Sequence, residues 1–214
     1  MAGLTADRVR ANLAAVRGRV DAAADRAGRR GEDVRILAAV KYLPAAELGL
    51  LAEAGIDLVG ENRAQDLVEK FAAHGDLFRW HFIGQLQSRK VKLIAPRVDL
   101  IHSVDSESAV RELDRHGRPG LEVLIEVNVA GDAGKAGIRP DQLDAMIARC
   151  PVPVVGLMTM PPRGGDGSRR AFAGLRELAA GRGLRELSMG TTQDFETAVE
   201  EGATIVRIGT SLYR

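Results

Sequence analysis

The sequence predicts an α/β fold, a single-domain (β/α)8 TIM barrel over residues 1–214 with an N-terminal helix closing the outer ring. Three observations lead to this class. Short apolar runs alternate with amphipathic segments, the alternation occurs eight times, and no change in composition marks a second domain. The main alternative is an open, doubly wound sheet. Eight evenly spaced units leave few insertions to cover the edges of an open sheet, which favours the closed barrel.

The first element is predicted to be a helix, within a segment of residues 1–30 that precedes the barrel strands and helices of residues 35–214. Thr5 is a suitable N-cap residue for it. An apolar stripe at helical spacing predicts this helix: Val9, Leu13, Val16 and Val20. Arg214 follows soon after the last predicted strand, so no outer helix is expected there and the N-terminal helix is expected to take its place.

Eight strands and seven further helices are predicted in alternation. The strands are the apolar runs near residues 35–40, 57–60, 80–83, 98–104, 121–129, 152–158, 186–189 and 203–208. The helices lie near residues 44–54, 62–73, 86–95, 106–116, 140–149, 168–181 and 193–201. Gly55 and Gly202 each end a helix before a strand, where glycine readily adopts positive φ. Residues 161–168, rich in proline and glycine, are predicted to form a flexible loop after strand six.

The composition argues against several classes of function. Thirty basic and 29 acidic residues are scattered, and the aromatic side chains are only five Phe, two Tyr and one Trp, so nucleic acid is a poor partner. No run approaches the roughly 18 apolar residues that span a membrane, and no signal-peptide pattern is present. The single cysteine, Cys150, fits a reducing compartment. No ligand spacing indicates a metal site. A soluble, cytoplasmic protein is therefore predicted.

Lys41 is the first candidate for a functional residue. It ends the apolar run of strand one, just before Pro44, so it is predicted to lie at a buried strand tip. An ammonium group is costly in such a place unless a partner or a reaction holds it there. Taken alone, Lys41 could also extend from the strand end into water.

Two segments near the end of the chain are predicted to form a phosphate site. Barrel enzymes carry their sites at the C-terminal ends of the strands, and phosphates often bind after strands seven and eight. Ser188 and Gly190 end strand seven, and Thr191 or Thr192 is expected to cap the next helix. Gly209 permits close approach of the backbone to a ligand, and Thr210 adds a hydroxyl donor.

Closure of the barrel makes strand eight the neighbour of strand one, which places Lys41 near Arg207 and Gly209. A lysine beside a phosphate site suggests a Schiff base to a phosphorylated aldehyde. Arg207 could instead form a structural ion pair with Glu61, and Asn62 could either cap a helix or face the barrel mouth. We therefore take Lys41, Asn62 and Arg207 as candidates together with the phosphate segments.

His81 and His102 lie on predicted strands, and each is expected to be a satisfied core histidine rather than a catalyst. No residue of the chain is predicted to be catalytic on the pattern of the sequence alone.

The chain resembles a known family, the pyridoxal 5′-phosphate homeostasis proteins of the YggS/PROSC type. The resemblance runs through nearly the whole chain, and Trp80–Gly84 followed by Leu86–Ser88 is its most specific part. The other matching stretches are residues 37–41, 60–62, 102–105, 126–128, 156–158, 187–190 and 206–210.

The resemblance implies a fold like the barrel half of alanine racemase, a monomeric state, and pyridoxal 5′-phosphate (PLP) as the cofactor. It implies that Lys41 carries the Schiff base and that Arg207 faces the pyridine nitrogen. The phosphate contacts that it implies are Ser188, Gly190, Gly209 and Thr210. Arg63 and Gln85 depart from the family pattern, where a tyrosine and a proline are frequent, and this puts contacts at the rim in doubt.

The expected function is that of a non-catalytic carrier, which holds PLP and releases it to apo-enzymes. Arginine can only donate a hydrogen bond, so Arg207 would leave the pyridine nitrogen unprotonated and weaken carbanion chemistry. Tyr42 is expected to point away from Lys41, and Tyr213 is terminal, so neither suits a second base. The alternatives are an amino-acid racemase that uses Lys41 as proton shuttle, and an aldolase-like barrel that attacks a sugar phosphate.

Overall fold

Eight parallel strands form a closed barrel in the computed structural model of the chain, which describes residues 3–132, 134–161 and 166–213. The strands are β1 (Arg35–Ala39), β2 (Leu58–Glu61), β3 (Arg79–Phe82), β4 (Leu100–Val104), β5 (Glu122–Glu126), β6 (Val154–Met158), β7 (Glu186–Thr191) and β8 (Ile205–Ile208). β8 pairs with β1, so that Leu37 lies beside Arg207 and Ala38 beside Ile208. The predicted barrel is confirmed, and each strand overlaps its predicted run.

Helices surround the barrel between the strands. They are α1 (Ala6–Arg26), α2 (Leu48–Glu53), α3 (Ala64–His74), α4 (Val91–Ile94), α5 (Glu107–His116), α6 (Leu143–Arg149), α7 (Asp166–Ala180), α8 (Phe195–Glu200) and α9 (Thr210–Tyr213). The single turn of α9 follows β8, where no helix was predicted. Of the loop predicted over residues 161–168, residues 162–165 lie outside the described residues, and α7 already begins at Asp166.

The N-terminal helix occupies the position in the ring that the sequence predicts. Thr5 is its N-cap, and its Oγ1 accepts the N–H of Arg8 at 3.3 Å. α1 packs against α2, α8 and α9. Arg29, just after the helix, donates to the carbonyls of Val199 at 2.7 Å and Ala203 at 3.0 Å, next to the end of α8. The first and last parts of the chain are thereby joined on the outside of the barrel.

The interior of the barrel has two layers of different chemistry. The lower layer is apolar and consists of Leu37, Leu58, Leu100, Leu124, Met158 and Ile205. The upper layer is polar and consists of His81, His102, Ser188 and Arg207, all buried. Because side chains alternate along a strand, the residues two positions beyond Leu100 and Ile205 face the same interior. The upper layer therefore lies towards the C-terminal ends of the strands, the end that carries the active sites of such barrels.

Two glycine turns agree with the sequence. Gly55 has φ +89° and Gly202 has φ +105°, so each junction between a helix and a strand uses the left-handed backbone expected there. Within the described ranges, no helix is both long enough and apolar enough to cross a membrane. The same part of the chain contains no group of three or more His, Cys, Asp or Glu side chains arranged to hold a metal ion.

Candidate functional site at the C-terminal mouth of the barrel

Lys41 lies at the mouth of the barrel, but not on a strand. β1 ends at Ala39, and the N–H of Leu43 bonds to the carbonyl of Val40 at 3.0 Å, so residues 41–43 form a turn before Pro44. The side chain of Lys41 is exposed. The prediction of a buried strand tip is therefore wrong, because the chain turns outward before Lys41. The lysine side chain is free to reach a ligand at the mouth.

Tyr42 also differs from its prediction. The Nζ of Lys41 lies 4.7 Å from the centroid of the Tyr42 ring, whereas the two side chains were expected to point in opposite directions. Alternation applies to a strand, and these residues lie in a turn. Tyr42 is 76% exposed. Its ring and the ammonium group consequently lie on the same side of the site and form a cation–π contact.

Arg207 is the most strongly constrained charge of the upper layer. Its Nη1 donates to the carbonyl and the Oγ of Ser188 at 2.8 and 2.6 Å. Its Nη2 donates to the carbonyl of Thr159 at 3.1 Å and contacts the sulfur of Met160 at 2.8 Å. Burial lowers the pKa of Arg207 to about 10, so the side chain is still charged at neutral pH. The ion pair with Glu61 that was considered as an alternative is not formed, since Glu61 pairs with Lys70.

Ser188 lies beneath the mouth rather than on its surface. It is fully buried, and its hydroxyl is bonded both to Arg207 and to Nδ1 of His102, the latter at 2.7 Å. Nε2 of His102 lies 3.0 Å from Nδ1 of His81. Since a guanidinium group only donates, the hydroxyl accepts from Arg207. We assign the hydroxyl proton to the bond with Nδ1 of His102, and in that tautomer Nε2 of His102 donates to Nδ1 of His81. The hydroxyl of Ser188 is therefore occupied by the upper layer, which differs from its predicted contact with a phosphate.

The two histidines are neutral members of this chain of hydrogen bonds. Burial, assisted by the charges of Arg35 and Arg79, lowers the pKa of His81 to about 3. The pKa of His102 is also held well below its usual range, first by burial and then by His81 and Arg207. Both are satisfied core histidines, as predicted. No local pattern in the sequence indicates that they connect to Ser188 and Arg207, although strand alternation predicts that both face the barrel interior.

Gly190 is required by the packing at the end of β7. Its φ is +89°, and a Cβ atom there would lie 2.5 Å from the Cβ of Ala198 and 2.9 Å from the Cα of Phe195. No other residue fits without movement of α8. The expected cap by Thr191 or Thr192 is wrong, because α8 begins at Phe195 and Asp194 occupies the N-cap position.

The end of β7 is connected to the end of β8 through hydroxyl groups. The N–H and hydroxyl of Thr191 both donate to Oδ1 of Asp194, at 2.6 and 3.0 Å. Oγ1 of Thr192 accepts the N–H of Gly209 at 3.3 Å. Thr210 starts α9 and is exposed. The two predicted phosphate segments are therefore adjacent, as the barrel order requires.

Gly209 differs from Gly190 in its surroundings. A Cβ atom at Gly209 would lie 3.6 Å from the carbonyl oxygen of Ala39, an ordinary contact. The barrel itself therefore has room for a side chain at this position. A glycine here leaves space for a ligand to approach the backbone.

Asn62 supplies an unsatisfied polar atom at the mouth. α3 begins at Ala64, with Arg63 in the N-cap position, so the predicted capping role of Asn62 is not formed. Oδ1 of Asn62 is buried and has no hydrogen-bond partner among the described residues. Buried amide oxygens in native proteins nearly always have a partner, so this atom is available to accept a hydrogen bond from a ligand or a water molecule at the mouth.

Two charged features were missed by the sequence analysis. Glu61 and Lys70 form a buried ion pair with a 2.5 Å distance between Oε2 and Nζ. Glu126 is buried on β5, two residues beyond Leu124, and its pKa is raised to about 7 by burial and by Asp105, with Arg207 opposing. The position of Glu126 on the interior face followed from strand alternation, whereas the partner of Glu61 did not follow from any local pattern.

The fold and the site define a class of protein: a (β/α)8 barrel with a free lysine after the first strand and a buried arginine in the last. No protein-family model matches the chain. The chain is 40% identical to the pyridoxal phosphate homeostasis protein of Aquifex aeolicus, over 94% of this chain and 95% of that protein. The chain therefore belongs to the family of pyridoxal phosphate homeostasis proteins.

Solved structures agree with this assignment. PipY of Synechococcus elongatus PCC7942, solved with PLP bound, is 32% identical, covers 96% of this chain and 100% of its own, and gives a TM-score of 0.81. Alanine racemase from Corynebacterium glutamicum shares the barrel fold with a TM-score of 0.72 at 16% identity, over 99% of this chain and 62% of that one. The expected likeness to the barrel part of alanine racemase is confirmed.

Proposed function

We propose that this chain is a non-catalytic PLP-binding protein that acts in the homeostasis of this cofactor and hence in amino-acid and keto-acid balance. One observation carries the proposal. Because β8 pairs with β1, the exposed Lys41 and the buried Arg207 lie at the same end of the barrel as Gly190 and Gly209. The unsatisfied Oδ1 of Asn62 at this mouth supports the presence of a ligand there.

The residues suit different parts of PLP. The aldehyde of the bound cofactor would take up the Lys41 amine as a Schiff base with loss of one water molecule. Arg207 would face the pyridine nitrogen with a donor whose direction is fixed by Ser188, so Ser188 would act through Arg207. Gly190, Gly209 and Thr210 would border the phosphate. The amide of Asn62 would contact the ligand through its free oxygen.

The charge pattern favours a carrier over a racemase. Arg207 can only donate a hydrogen bond, so it offers no proton acceptor that would keep a pyridinium in place. A racemase needs acid and base groups on opposite faces of its substrate, and Tyr42 lies on the same side as Lys41. The hydroxyl of Tyr213 is buried, and burial together with the charge of Glu61 raises its pKa. Neither tyrosine is therefore suited to act as the second base.

The remaining parts of the proposal concern the compartment in which the protein acts, its oligomeric state and the proteins that receive PLP from it. A single cysteine, Cys150, is half-buried and its pKa is raised by burial, as suits an unreactive thiol in a reducing cytoplasm. We infer that the chain acts there as a monomer and passes PLP to apo-enzymes. Gel filtration with light scattering, and PLP transfer to an apo-aminotransferase, would examine these two points.

The decisive experiment is covalent trapping. We expect the protein mixed with PLP to show a yellow absorption band that borohydride removes, with a pyridoxyl mass on Lys41 among the chain's five lysines. Lys41→Ala should lose the label and change the free energy of unfolding by less than about 0.5 kcal/mol, because the side chain is exposed. Lys92→Ala, at another exposed lysine, is the matched control and should keep the label on Lys41.

Three results would contradict the proposal. A protein that stays colourless and unlabelled after the addition of PLP would show that no Schiff base forms. A label that forms with a sugar phosphate and not with PLP would favour the aldolase-like alternative. Exchange of an amino-acid α-hydrogen with heavy water, catalysed by the wild type and lost in Lys41→Ala, would favour the racemase.

A further inference from the structure

The pairing between β1 and β2 stops one hydrogen bond early at the mouth. In a parallel pair the bonds are evenly spaced, and each residue bonds to the two residues that flank its partner. The N–H of Val40 donates to the carbonyl of Gly60 at 3.0 Å. The next bond of this pattern would run from the N–H of Asn62 to the carbonyl of Val40. Among the described residues, the N–H of Asn62 bonds to a side chain instead, and the carbonyl of Val40 accepts from a side chain and from the N–H of Leu43 in the turn.

The ion pair of Glu61 and Lys70 takes the place of this missing bond. Nζ of Lys70 lies 2.7 Å from the carbonyl oxygen of Val40 and 2.5 Å from Oε2 of Glu61. Oε1 of Glu61 accepts the N–H of Asn62 at 2.7 Å and that of Arg63 at 3.2 Å. The carboxylate therefore accepts the N–H of Asn62 that the missing bond would have used, and the ammonium group shares the carbonyl of Val40 with the N–H of Leu43.

Stability alone does not explain a pair in this position. Glu61 is fully buried and Lys70 is 5% exposed, so both charges have been removed from water. Apolar residues of similar volume are often as stabilising as a buried ion pair, or more so. All the remaining hydrogen bonds of this pair go to the backbone at Val40, Asn62 and Arg63, the immediate neighbours of Lys41 and of the free amide oxygen.

We propose that Glu61 and Lys70 are positioning residues that hold the ends of β1 and β2 apart and fix the backbone carrying Lys41 and Asn62. The proposal rests on the proposed function, which gives these two residues their role. The side chain of Lys41 is exposed, so the bonded carbonyl of Val40 is the nearest fixed point of its backbone. Without the pair, the bond from Asn62 to Val40 can form, and the space between Lys41 and Asn62 closes.

The test replaces the pair as a unit. Glu61→Leu with Lys70→Met leaves no unpaired charge, so the fold and its melting temperature should stay close to wild type. The rate at which PLP and borohydride label Lys41 should fall about tenfold to a hundredfold, the scale expected for a misplacement of about 1 Å. Amide hydrogen exchange at Arg63 should accelerate, because its acceptor is gone. This second readout needs no cofactor.

A control at the opposite end of the barrel separates positioning from general destabilisation. Arg35 and Glu186 form a partly buried ion pair there, at the start of β1 and β7. In the double variant Arg35→Met with Glu186→Leu, PLP and borohydride should label Lys41 at the wild-type rate. An equal slowing in both double variants would overturn the positioning role, as would labelling at the wild-type rate in Glu61→Leu with Lys70→Met.

The results that would contradict the proposed function differ from those that would contradict the positioning role. If the wild-type protein itself takes no label, the proposed Schiff base on Lys41 is wrong. The rates of amide hydrogen exchange at Asn62 and Arg63 then test whether the ion pair has a positioning role. Unchanged exchange at both amides in the double variant would overturn it. If that variant does not fold, Glu61→Met with Lys70→Met serves, because it also leaves no unpaired charge, and labelling at the wild-type rate would again overturn the proposal.

Discussion

The two layers of the barrel interior show how one set of strands performs two tasks. The lower layer is made of apolar side chains such as Leu124 and closes the barrel by packing. The upper layer consists of hydrogen-bonded side chains, and in it Arg207, which can only donate, bonds to the hydroxyl of Ser188. The change from one layer to the other takes two residues along a strand, as from Leu100 to His102. Substitutions in the lower layer should therefore alter stability without altering binding.

The largest effect is expected in the lower layer. Leu124→Ala removes a fully buried side chain and should lower the free energy of unfolding by about 2–5 kcal/mol. Urea denaturation monitored by circular dichroism measures this loss. The folded fraction should still be labelled on Lys41 by PLP and borohydride. A loss of labelling without a loss of stability would show that the two layers are not separable.

An intermediate effect is expected from acid on the upper layer. The folded state keeps His81 neutral down to about pH 3, whereas the same histidine in the unfolded chain takes up a proton near pH 6.5. The stability that depends on neutral His81 is therefore complete above pH 6.5 and is lost as the pH falls below it. His102 acts in the same direction. Glu126 acts in the opposite direction between about pH 7 and 4.5, since its carboxyl is protonated first in the folded state. The net loss should be about 1 kcal/mol per pH unit below pH 6.5.

Denaturation at pH 7, 6 and 5 measures this slope. Glu126→Gln removes the opposing group and should make the loss steeper. A stability that is independent of pH in this range would contradict the assignment of neutral histidines in the upper layer, and a slope that Glu126→Gln leaves unchanged would contradict the raised pKa of Glu126.

A loss of stability of about the same size as that caused by acid is expected from a change of hydrogen bonding in the upper layer. Ser188→Ala leaves Nδ1 of His102 without a donor and removes one acceptor of Arg207, at a cost of about 1–3 kcal/mol. Because Arg207 is then less constrained, the absorption band of the PLP-loaded protein should shift. Leu124→Ala should leave that band in place, and a shift in both variants would remove the distinction between the layers.

The fold could be predicted because its signals are local. Each strand is a run of apolar residues, and the order of eight such runs fixes which strand lies beside which. The turn at Lys41 was missed because the apolar run continues to Val40, whereas the bond between Leu43 and Val40 becomes visible only in three dimensions. The cap of α8 was misplaced for a similar reason, since Thr191 and Asp194 are both plausible caps in sequence.

The candidate site was predicted as a set of residues but not as a network. The barrel order places Lys41, Arg207 and Gly209 at one end. The pairing of Lys70 with Glu61 could not be anticipated, because nine positions separate the two residues and the contact depends on how α3 packs against β2. The link from Ser188 to His102 joins residues 86 positions apart. Such links depend on distances across the barrel, which hydrophobic periodicity does not provide.

The seam between β8 and β1 also determines when the site can exist during synthesis. Ribosomes release the N-terminal part of a chain first, and domains fold as their parts emerge. Lys41 emerges early, whereas Arg207 and the carbonyls of Val199 and Ala203 that Arg29 holds emerge more than 150 residues later. A nascent chain thus displays the lysine long before it possesses the arginine. Under the proposed function, loading with PLP requires the segment that carries Arg207, and products truncated before that segment would carry Lys41 without the site around it.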